Sequence, residues 1–256
     1  MSRAGTERPR ALVTGASSGL GRAFADLLEL RGFDVVVLDR QEPDGEACER
    51  LHITCDLADR DALDRTLPVI FAAGPYDCVL LNAGISATGR LATMPPDVLL
   101  RIVRVNAEAP MVLAAALLRD RAVAAGGHMG FVSSLSHFTG YPGAAAYAGS
   151  KDALAVYARS LRKPAARLGV SVSAIFPGPL DTPQAARHAP AGADASRRMP
   201  APVAARIILD GMQKGRRAIV PGGAPRLYAG LGRLFPGAMT AAMRRIIFEK
   251  LDRDTW

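Results

Sequence analysis

Residues 11–30 read ALVTGASSGLGRAFADLLEL, and this stretch decides the fold. An apolar run at residues 11–14 is typical of a buried strand, and the turn after it carries Gly15, Gly19 and Gly21. Apolar residues at helical spacing then continue to Leu30. A glycine turn between strand and helix lets the main chain approach a pyrophosphate, whose negative charge is favoured at a helix N-terminus. The stretch therefore predicts a phosphate-binding strand, turn and helix.

The next apolar run, residues 33–38, is typical of a second buried parallel strand and ends at Asp39. A carboxylate at this strand end is placed to accept hydrogen bonds from an adenosine ribose and to repel a 2′-phosphate. Arg40 follows directly and could stack on adenine or pair with a phosphate. We therefore expect NAD as the cofactor, with NADP as the alternative.

Strand and helix patterns continue to alternate without a linker, repeat or low-complexity segment. Further strands are expected at residues 52–55, 76–81, 130–133, 170–176 and 217–220, and helices at residues 59–73, 95–105 and 107–125. Strands that alternate with helices form a parallel sheet covered on both faces. We expect one α/β domain over residues 1–256, a Rossmann fold with a doubly wound parallel sheet of about seven strands and helices on both faces.

Polar and small residues interrupt the apolar pattern at three places, which are Asp56-Leu57, Asn82-Ala83-Gly84 and Asn106. Asp56 could bind an adenine amino group, or equally cap the helix that follows. The small residues after the fourth strand leave room where a bulky side chain would collide with a cofactor, and Asn82 is expected to stabilise the sheet rather than react. Asn106 lies between two predicted helices, where an isolated asparagine would be a kink or a cap.

The chemistry is expected at Tyr147 and Lys151, which lie four residues apart on one side of a helix predicted from residue 146 onward. An ammonium beside a phenol lowers the phenol's pKa from about 10 toward the range in which a general acid/base works best. Ser134 ends the fifth strand and can reach the same substrate oxygen if the turn at residues 140–143 folds the chain back. Alone, the Tyr-x-x-x-Lys pair is only suggestive.

Several motifs nevertheless occur together in one order: Thr14-Gly-x-x-x-Gly19-x-Gly21, Asn82-Ala-Gly84, Asn106, Ser134, Tyr147-x-x-x-Lys151 and Pro177-Gly178. This set resembles the short-chain dehydrogenase/reductase family, over residues 9–222. The three-residue gap between Gly15 and Gly19 is similar to the shorter branch of that family, not to the longer branch of epimerases and dehydratases. The resemblance implies an NAD(P)(H)-dependent oxidoreductase that transfers a hydride between nicotinamide and a secondary alcohol or ketone.

The resemblance also implies roles for the matched residues. Tyr147 would be the general acid/base, with Lys151 lowering its pKa and binding the nicotinamide ribose, so that both also contact the cofactor. Ser134 would stabilise the developing oxyanion, and Asn106 would hold a water that links Lys151 to solvent. The other cofactor contacts would be Gly15, Ser17, Ser18, Gly19, Leu20, Gly21, Asp39, Arg40, Asp56, Leu57, Asn82, Ala83, Gly84, Pro177, Gly178 and Thr182.

The substrate pocket is expected to draw on Ser86, His137, Phe138, Tyr141 and Leu180. Leu180 begins a loop of residues 180–200 that is rich in alanine and contains proline and glycine, a composition that predicts a mobile lid. Its small and apolar residues favour a mid-sized, largely apolar substrate. His137 is expected to be a wall of this pocket rather than a second catalyst.

Residues 223–256 extend beyond the resemblance, and from Gly211 onward nine basic residues face three acidic ones. Apolar residues there share one helical side, namely Ala238, Met239, Ala242, Met243, Ile246, Ile247 and Leu251. Such a helix could lie on a membrane surface. We expect it instead to pack on the substrate lid or a neighbouring subunit, because Pro236 interrupts the segment and its apolar side holds few aromatic residues.

Composition excludes other classes of protein. The net charge is +8, but 28 of the 32 basic residues are arginines mostly interleaved with acids, so we expect no nucleic-acid binding. Cys48, Cys55 and Cys78 lack metal-ligand spacing, which predicts reduced thiols and no metal site. No apolar run is long enough to span a membrane and no secretory leader is evident, so a cytoplasmic protein is expected.

The expected partners are a small-molecule alcohol or ketone and, by the family resemblance, further copies of this chain in a homodimer or homotetramer. The alternative to an enzyme is a dinucleotide-binding regulator or scaffold on the same fold. The complete set of Ser134, Tyr147 and Lys151 favours the enzyme.

Overall fold

The central sheet has seven strands, which are β1 (Arg10–Thr14), β2 (Asp34–Asp39), β3 (Leu51–Thr54), β4 (Tyr76–Leu81), β5 (Val123–Val132), β6 (Ser171–Ile175) and β9 (Ala218–Ile219). Every pairing is parallel, in the order β3-β2-β1-β4-β5-β6-β9. A separate short pair joins β7 (Leu180–Asp181) to β8 (Met199–Pro200). The structure is a computed structural model that describes residues 8–41, 50–189, 192–251 and 254–255. The predicted doubly wound sheet is confirmed.

Helices lie on both faces of this sheet. They are α1 (Gly19–Leu30), α2 (Arg60–Ala72), α3 (Pro96–Val103), α4 (Ala109–Arg119), α5 (Ser136–Thr139), α6 (Ala145–Ala166), α7 (Pro183–Arg187), α8 (Ala201–Gln213), α9 (Gly223–Leu234) and α10 (Pro236–Ile246). One apolar core contains side chains of α1 and α8, such as Phe24 and Ile208. The other contains side chains of α2, α4 and α6, such as Leu63, Leu113 and Leu154. The two cores lie on opposite faces of the sheet.

Packing on both faces of strand β1 explains why its sequence is apolar at residues 11–13. Ala11 and Val13 belong to the core beneath α1, whereas Leu12 belongs to the other core. Successive side chains of a strand point to opposite faces, so a strand covered on both sides needs apolar residues at every position. All three residues are fully buried.

The strand order places the loops after β1 and β4 side by side. Thr14 Oγ1 accepts the main-chain N–H groups of Asn82 and Ala83, each at 3.0 Å. The Asn82 side-chain amide donates to the carbonyl oxygens of Thr14 and Gly15, at 3.1 and 3.0 Å. Asn82 therefore ties two strand ends together, as predicted. Open parallel sheets bind their ligands at this reversal of strand order.

The predicted helices at residues 95–105 and 107–125 are wrong in two respects. First, Asn106 does not separate two helices: α3 runs through one turn of π-helix, Arg104–Glu108, into α4. A π turn inserts one extra residue into a continuous helix, and such turns are frequent at functional sites. The interruption that the sequence indicated is therefore a bulge rather than a break.

Second, α4 ends at Arg119, not at residue 125, and the fifth strand begins at Val123, not at residue 130. Arg121 has a left-handed φ of 52°, which ends the helix. Val123 then pairs with Tyr76 of β4. Alanine-rich residues 122–125 favour a helix by propensity, but pairing with the sheet overrides that local preference.

The loop of residues 180–200 is more regular than predicted. It contains β7, the short helix α7, a 3-10 turn at Ala195–Arg197 and β8, which returns to pair with β7. Thr182 caps α7 by accepting the Ala185 N–H at 3.2 Å. The segment is thus a folded flap hinged on β7 and β8. Its predicted mobility stays a prediction.

The C-terminal extension folds into two helices, α9 and α10, and a 3-10 turn at Phe248–Lys250. Both helices contact α5. The expected packing on the substrate lid or on a neighbouring subunit stays a prediction. Of the predicted apolar side, Met239, Ala242 and Met243 are half-buried, but Ile246 is exposed. No helix within the described ranges is both long enough and apolar enough to cross a membrane.

Cys55 and Cys78 are buried free thiols, as predicted, whereas Cys48 lies outside the described residues. Burial raises the pKa of both thiols, that of Cys78 to about 12. Buried thiols with raised pKa values are unreactive and pack as small apolar side chains.

Candidate active site

The glycine turn predicted to hold a dinucleotide is closely packed against the loop after β4. Gly15 and Gly19 have left-handed φ angles of 70° and 57°, and a Cβ on Gly15 would lie 2.7 Å from the Ala83 Cα. A Cβ on Gly21 would lie 2.0 Å from the Gly15 carbonyl oxygen. Side chains are therefore excluded at these positions, and Ser18 makes no side-chain cap to α1. The first turn of α1 fits an anion such as a pyrophosphate.

Asp39 lies beside this turn at the end of β2. Its carboxylate, 8% exposed as a residue, accepts the main-chain N–H of Ser17 at 2.9 Å and that of Gln41 at 3.2 Å. Each carboxylate oxygen still has acceptor capacity for a hydroxyl. Arg40 is exposed next to it. The structure thus brings Asp39, Ser17 and the glycine turn together, in a form that fits an adenosine ribose.

The predicted cap at Asp56 is wrong, because the helix after β3 is capped by Asp59, which accepts the Ala62 N–H at 3.0 Å. Asp56 instead accepts the Ala58 N–H at 2.9 Å and pairs with Arg101 at 2.9 Å. Burial raises the pKa of Asp56, but these two contacts outweigh it and the pKa is lowered. Leu57 packs against the core, so the predicted contact of Asp56 and Leu57 with adenine stays a prediction.

Ser134 and Tyr147 meet although they lie on different elements. Ser134 follows β5, Tyr147 is in the first turn of α6, and the Ser134 hydroxyl lies near enough to the phenol to act on its pKa. Burial raises the pKa of Tyr147, and the Ser134 hydroxyl offsets this only in part. The expected lowering of this pKa is therefore not found. The phenol stays protonated, which suits a group that donates a proton.

The position of the Lys151 ammonium explains why the pKa of Tyr147 is not lowered. Its ammonium donates to the carbonyl oxygen of Val132, in β5, at 2.8 Å, and the residue is 3% exposed. Burial lowers the pKa of Lys151 to about 8. The ammonium is held by a main-chain dipole in an enclosed position, where desolvation acts against its charge. Ser133 fixes the same turn of α6 by donating to the Lys151 carbonyl oxygen at 2.8 Å.

Asn106, fully buried in the π turn, clamps the loop after β4. Its Oδ1 accepts the Ile85 N–H at 2.8 Å, and its side-chain amide donates to the Ile85 carbonyl at 2.9 Å and to Ser150 Oγ at 3.0 Å. Both amide donors are thus used within the protein. Asn106 therefore connects β4 and α6, which a sequence pattern could not show. Its predicted role in holding a water stays a prediction.

The residues predicted for the substrate pocket differ in their burial and in the groups that they contact. Tyr141 packs edge-on against Tyr147, with ring centroids 6.2 Å apart. His137 stacks on Phe176, with ring centroids 5.1 Å apart, and pairs with Asp152 through Nδ1 at 2.8 Å. Its predicted place in the wall of the pocket stays a prediction. Phe138 is in the hydrophobic core, 6% exposed, and Leu180 is also buried. Ser86 is half-buried in the loop after β4.

Pro177, Gly178 and Thr182 lie where β6 leads into the flap. The Pro177 carbonyl accepts the Leu135 N–H at 2.9 Å, which ties this turn to the segment after Ser134. A Cβ on Gly19 would lie 3.1 Å from Thr182 Cγ2, so Thr182 lies against the glycine turn. The structure thus places these residues at the same end of the sheet as the glycine turn.

The extreme C-terminus contributes contacts that the sequence did not predict. Thr255 forms an antiparallel bridge with Thr88, in the loop after β4, and its hydroxyl lies 2.8 Å from His188 Nδ1, at the end of α7. Asp254 accepts the Arg90 N–H at 3.0 Å and the Thr93 hydroxyl at 2.9 Å. The tail therefore joins the β4 loop to the flap. No local pattern could have shown this, because the partners are far apart in sequence.

An open groove of about 860 Å³ lies between the turn at residues 140–143 and α10. Its lining is mostly apolar and consists of Pro142, Gly143, Pro236, Gly237, Thr240, Ala241, Arg244 and Phe248. Tyr141, whose ring packs against Tyr147, is next in sequence to Pro142 of this lining, but neither tyrosine is itself a lining residue. Within the described ranges, no three His, Cys, Asp or Glu side chains are grouped closely enough to hold a metal ion.

Comparison with known proteins shows what this chain is similar to. Residues 9–191 match the model of a family described as short chain dehydrogenase. An uncharacterized oxidoreductase of Myxococcus xanthus is 36% identical over 178 residues, which are 66% of this chain and 70% of that protein. Two other curated relatives are matched over 66% and 57% of their own lengths.

Solved structures share the fold. A 3-oxoacyl-[acyl-carrier protein] reductase from Brucella melitensis in complex with NAD has a TM-score of 0.74 at 23% identity, over 87% of this chain and 99% of that one. A short-chain dehydrogenase from Sphingobium yanoikuyae in complex with NADPH has a TM-score of 0.73 at 22% identity, over 92% and 94%. The two neighbours were thus solved with different nicotinamide dinucleotides.

Proposed function

The chain belongs to the short-chain dehydrogenase family of oxidoreductases, and we propose that it transfers a hydride between NAD(H) and a secondary alcohol or ketone. The observation that carries this proposal is that the Ser134 hydroxyl acts on the Tyr147 phenol, with Lys151 one helical turn further along α6 and its ammonium buried. A bound nicotinamide supplies or accepts the hydride. The task left to the protein is to position the substrate oxygen and to move a proton.

Tyr147 carries the proton in this proposal. Its raised pKa keeps the phenol protonated at neutral pH, so it donates a proton to the oxygen of a ketone as that oxygen gains negative charge. In the reverse direction the phenolate accepts the proton of the alcohol. Ser134, whose hydroxyl acts on the phenol, donates to the same oxygen and stabilises its developing charge.

Lys151 and Asn106 support that proton transfer. In the structure the Lys151 ammonium donates to the Val132 carbonyl and does not lower the pKa of Tyr147. In this proposal the ammonium turns toward the phenol during the reaction and favours the phenolate there, more strongly than it would in water. Asn106 holds the Ile85 main chain and Ser150, and so fixes the β4 loop against the turn of α6 that carries Lys151. We infer that the π turn containing Asn106 provides the water contact through which Lys151 exchanges its proton with solvent.

NAD is proposed as the preferred cofactor because of Asp39. A buried carboxylate beside the glycine turn accepts ribose hydroxyls and repels a 2′-phosphate. Arg40, which is exposed, is the residue that would favour NADP. The contact between Asp39 and Ser17 supports NAD, because it holds the carboxylate toward the turn.

The substrate is proposed to be a largely apolar ketone or alcohol. The groove beside Tyr141 presents proline, alanine and phenylalanine side chains, with Thr240 and Arg244 as its polar members. Such a lining fits an apolar chain with one polar end. Reduction of a 3-oxoacyl group, the activity named for the Brucella protein, is compatible with this chemistry.

Self-association is also proposed. Leu100 and Val103 of α3 and Val156 of α6 are 52%, 40% and 45% exposed, and α3 contacts α6. Exposed apolar side chains on neighbouring helices favour a contact with a second copy of the chain. Light scattering coupled to gel filtration measures the oligomeric state directly.

The proposed function is tested by following reduced nicotinamide in the presence of a panel of ketones and alcohols. Tyr147→Phe is expected to lower turnover of any active substrate by about 10²- to 10⁴-fold and to leave dinucleotide binding nearly unchanged. Tyr157→Phe is the matched control, since its hydroxyl contacts only the Met111 carbonyl among the described hydrogen bonds. Unchanged turnover in Tyr147→Phe would contradict the proposal.

The panel also separates the proposed enzyme from a dinucleotide-binding regulator. Calorimetric binding of NADH without turnover of any substrate, in protein that is folded by circular dichroism, would favour the regulator. Turnover that depends on Tyr147 would exclude it.

A further inference from the structure

Helix α9 presents a second apolar side that no part of the described structure covers. Five large side chains lie on it, namely Leu227 (61% exposed), Tyr228 (47%), Leu231 (38%), Leu234 (72%) and Phe235 (60%). Their spacing in sequence places them on one side of a helix and its C-terminal end. Single exposed leucines are ordinary on protein surfaces, but a contiguous row of this kind indicates an interaction site.

The helix cannot rotate to bury this row. Its other side is packed on α5, where a Cβ on Gly232 would lie 2.0 Å from the Phe138 carbonyl oxygen, and Ala229 is 5% exposed. The Arg233 guanidinium lies over the Phe138 ring, 4.9 Å from its centroid. Gly178 packs against Pro225 at the start of the helix. The exposed row is therefore held outward by contacts along the length of the helix.

The charge around this row has one sign. Residues 211–248 contain seven basic residues and no acidic one. Arg244 and Arg245, on the adjoining helix α10, are exposed, and neither takes part in any ion pair between described residues. Uncompensated arginines beside exposed leucine, tyrosine and phenylalanine side chains are typical of helices that lie in the interface of an anionic bilayer.

We propose that α9 binds the surface of an anionic lipid membrane, with its apolar row in the boundary between headgroups and acyl chains and the α10 arginines near lipid phosphates. The membrane is favoured over a second copy of this chain, because a twofold contact through α9 would oppose two sets of arginines without an intervening acid. It is favoured over a neutral apolar partner because the arginines would then lose hydration without gaining a counter-charge. None of the five side chains of the α9 row lines the groove, whereas Arg244 belongs to both the groove lining and the proposed membrane surface. The part of the proposal that rests on the apolar row is therefore independent of catalysis, and the two Glu substitutions in that row test it without changing the groove.

The test is sedimentation of the full chain with two kinds of vesicle, one of phosphatidylcholine alone and one of equal parts phosphatidylcholine and phosphatidylglycerol. Binding is expected to the mixed vesicles, to weaken with added salt, and to be much weaker on phosphatidylcholine. The double variant Leu234→Glu/Phe235→Glu is expected to reduce the partition coefficient at least about ten-fold. Leu30→Glu is the matched control, because Leu30 is 85% exposed at the end of α1 and is expected to have no effect.

The arginines are tested separately. Arg244→Gln/Arg245→Gln is expected to weaken binding to the mixed vesicles by about five-fold for each arginine and to leave binding to phosphatidylcholine unchanged. All the substituted side chains are exposed, so the far-ultraviolet circular dichroism and the melting temperature of each variant should match those of the unmodified protein. That match confirms that loss of binding is not loss of folding.

Three results would overturn the proposal. One is absence of binding to the mixed vesicles, and another is an equal loss of binding in Leu30→Glu. The third is light scattering that shows an oligomer of the unmodified protein which Leu234→Glu/Phe235→Glu dissociates, because the row would then be covered by a second copy of the chain.

Discussion

Gly84 approaches Lys151 so closely that a Cβ on it would lie 2.8 Å from the Lys151 Nζ. The same Cβ would lie 3.3 Å from the Asn106 Oδ1. The loop after β4, the π turn and helix α6 therefore meet at one buried ammonium. A side chain at position 84 would press on the flexible end of Lys151, so that the ammonium would have to move from the Val132 carbonyl.

Gly84→Ala is expected to lower kcat/KM at least about ten-fold, since the added methyl group must displace Lys151 or the loop that is expected to hold the cofactor. Steady-state kinetics and calorimetric titration with NADH measure the effect. Gly149→Ala is the control, because a Cβ on Gly149 meets no atom within 4 Å and should leave kinetics unchanged. If Gly84→Ala and the control have equal kinetics, the site tolerates the added methyl group and the prediction is wrong.

The pH dependence of ketone reduction is expected to follow Lys151. Burial lowers the pKa of Lys151 to about 8, so the ammonium is lost in the free protein as the pH rises through that value. The pKa of Tyr147 is raised, so the phenol stays protonated over the same range. We expect kcat/KM for reduction to be highest below pH 8 and to fall above it, as measured between about pH 6.5 and 9.5.

Lys151→Arg tests the assignment, because a guanidinium remains charged throughout this range. Whatever its absolute rate, the variant should lose the decline near pH 8. A decline that persists in Lys151→Arg, or a flat profile in the unmodified protein, would assign the titration to another group.

The preference for NAD is expected to depend on Asp39. Asp39→Ser removes the charge that repels a 2′-phosphate, so KM for NADPH should fall at least about ten-fold while KM for NADH rises. Asp34→Ser, at the exposed start of the same strand, is the control and should leave both values unchanged. If Asp39→Ser leaves the ratio of the two KM values unchanged, residues other than Asp39 set the preference between NAD and NADP.

Asn106 is expected to matter for stability as well as for the site. Asn106→Ala leaves the Ile85 N–H and carbonyl without their partner in a buried position, and the free energy of unfolding should fall by about 2–4 kcal/mol. Urea denaturation measures this. Ser150→Ala removes one of the three Asn106 contacts and the bond that Ser150 Oγ donates to the Tyr147 carbonyl, leaves the Ile85 contacts intact, and should cost about 1 kcal/mol. Equal losses in the two variants would show that the clamp on Ile85 contributes little.

The sheet and the phosphate-binding turn could be predicted because they depend on local chemistry. A strand covered on both faces must be apolar throughout, and a tight turn with left-handed residues needs glycine at fixed positions. Tyr147 and Lys151 followed from helical spacing in the same way. The end of α4 could not be predicted, because alanine-rich residues 122–125 favour a helix and only pairing with β4 makes part of them a strand.

By itself the sequence determined the order of strands and helices, the glycine turn, and the spacing of Ser134, Tyr147 and Lys151 along the chain. The tertiary structure decided what those groups do to one another. It placed the Lys151 ammonium against the Val132 carbonyl, partly buried Tyr147 so that its pKa rises, and left the apolar row of α9 exposed. Charge, burial and exposure depend on residues that are distant in the chain, and only the folded protein brings those residues together.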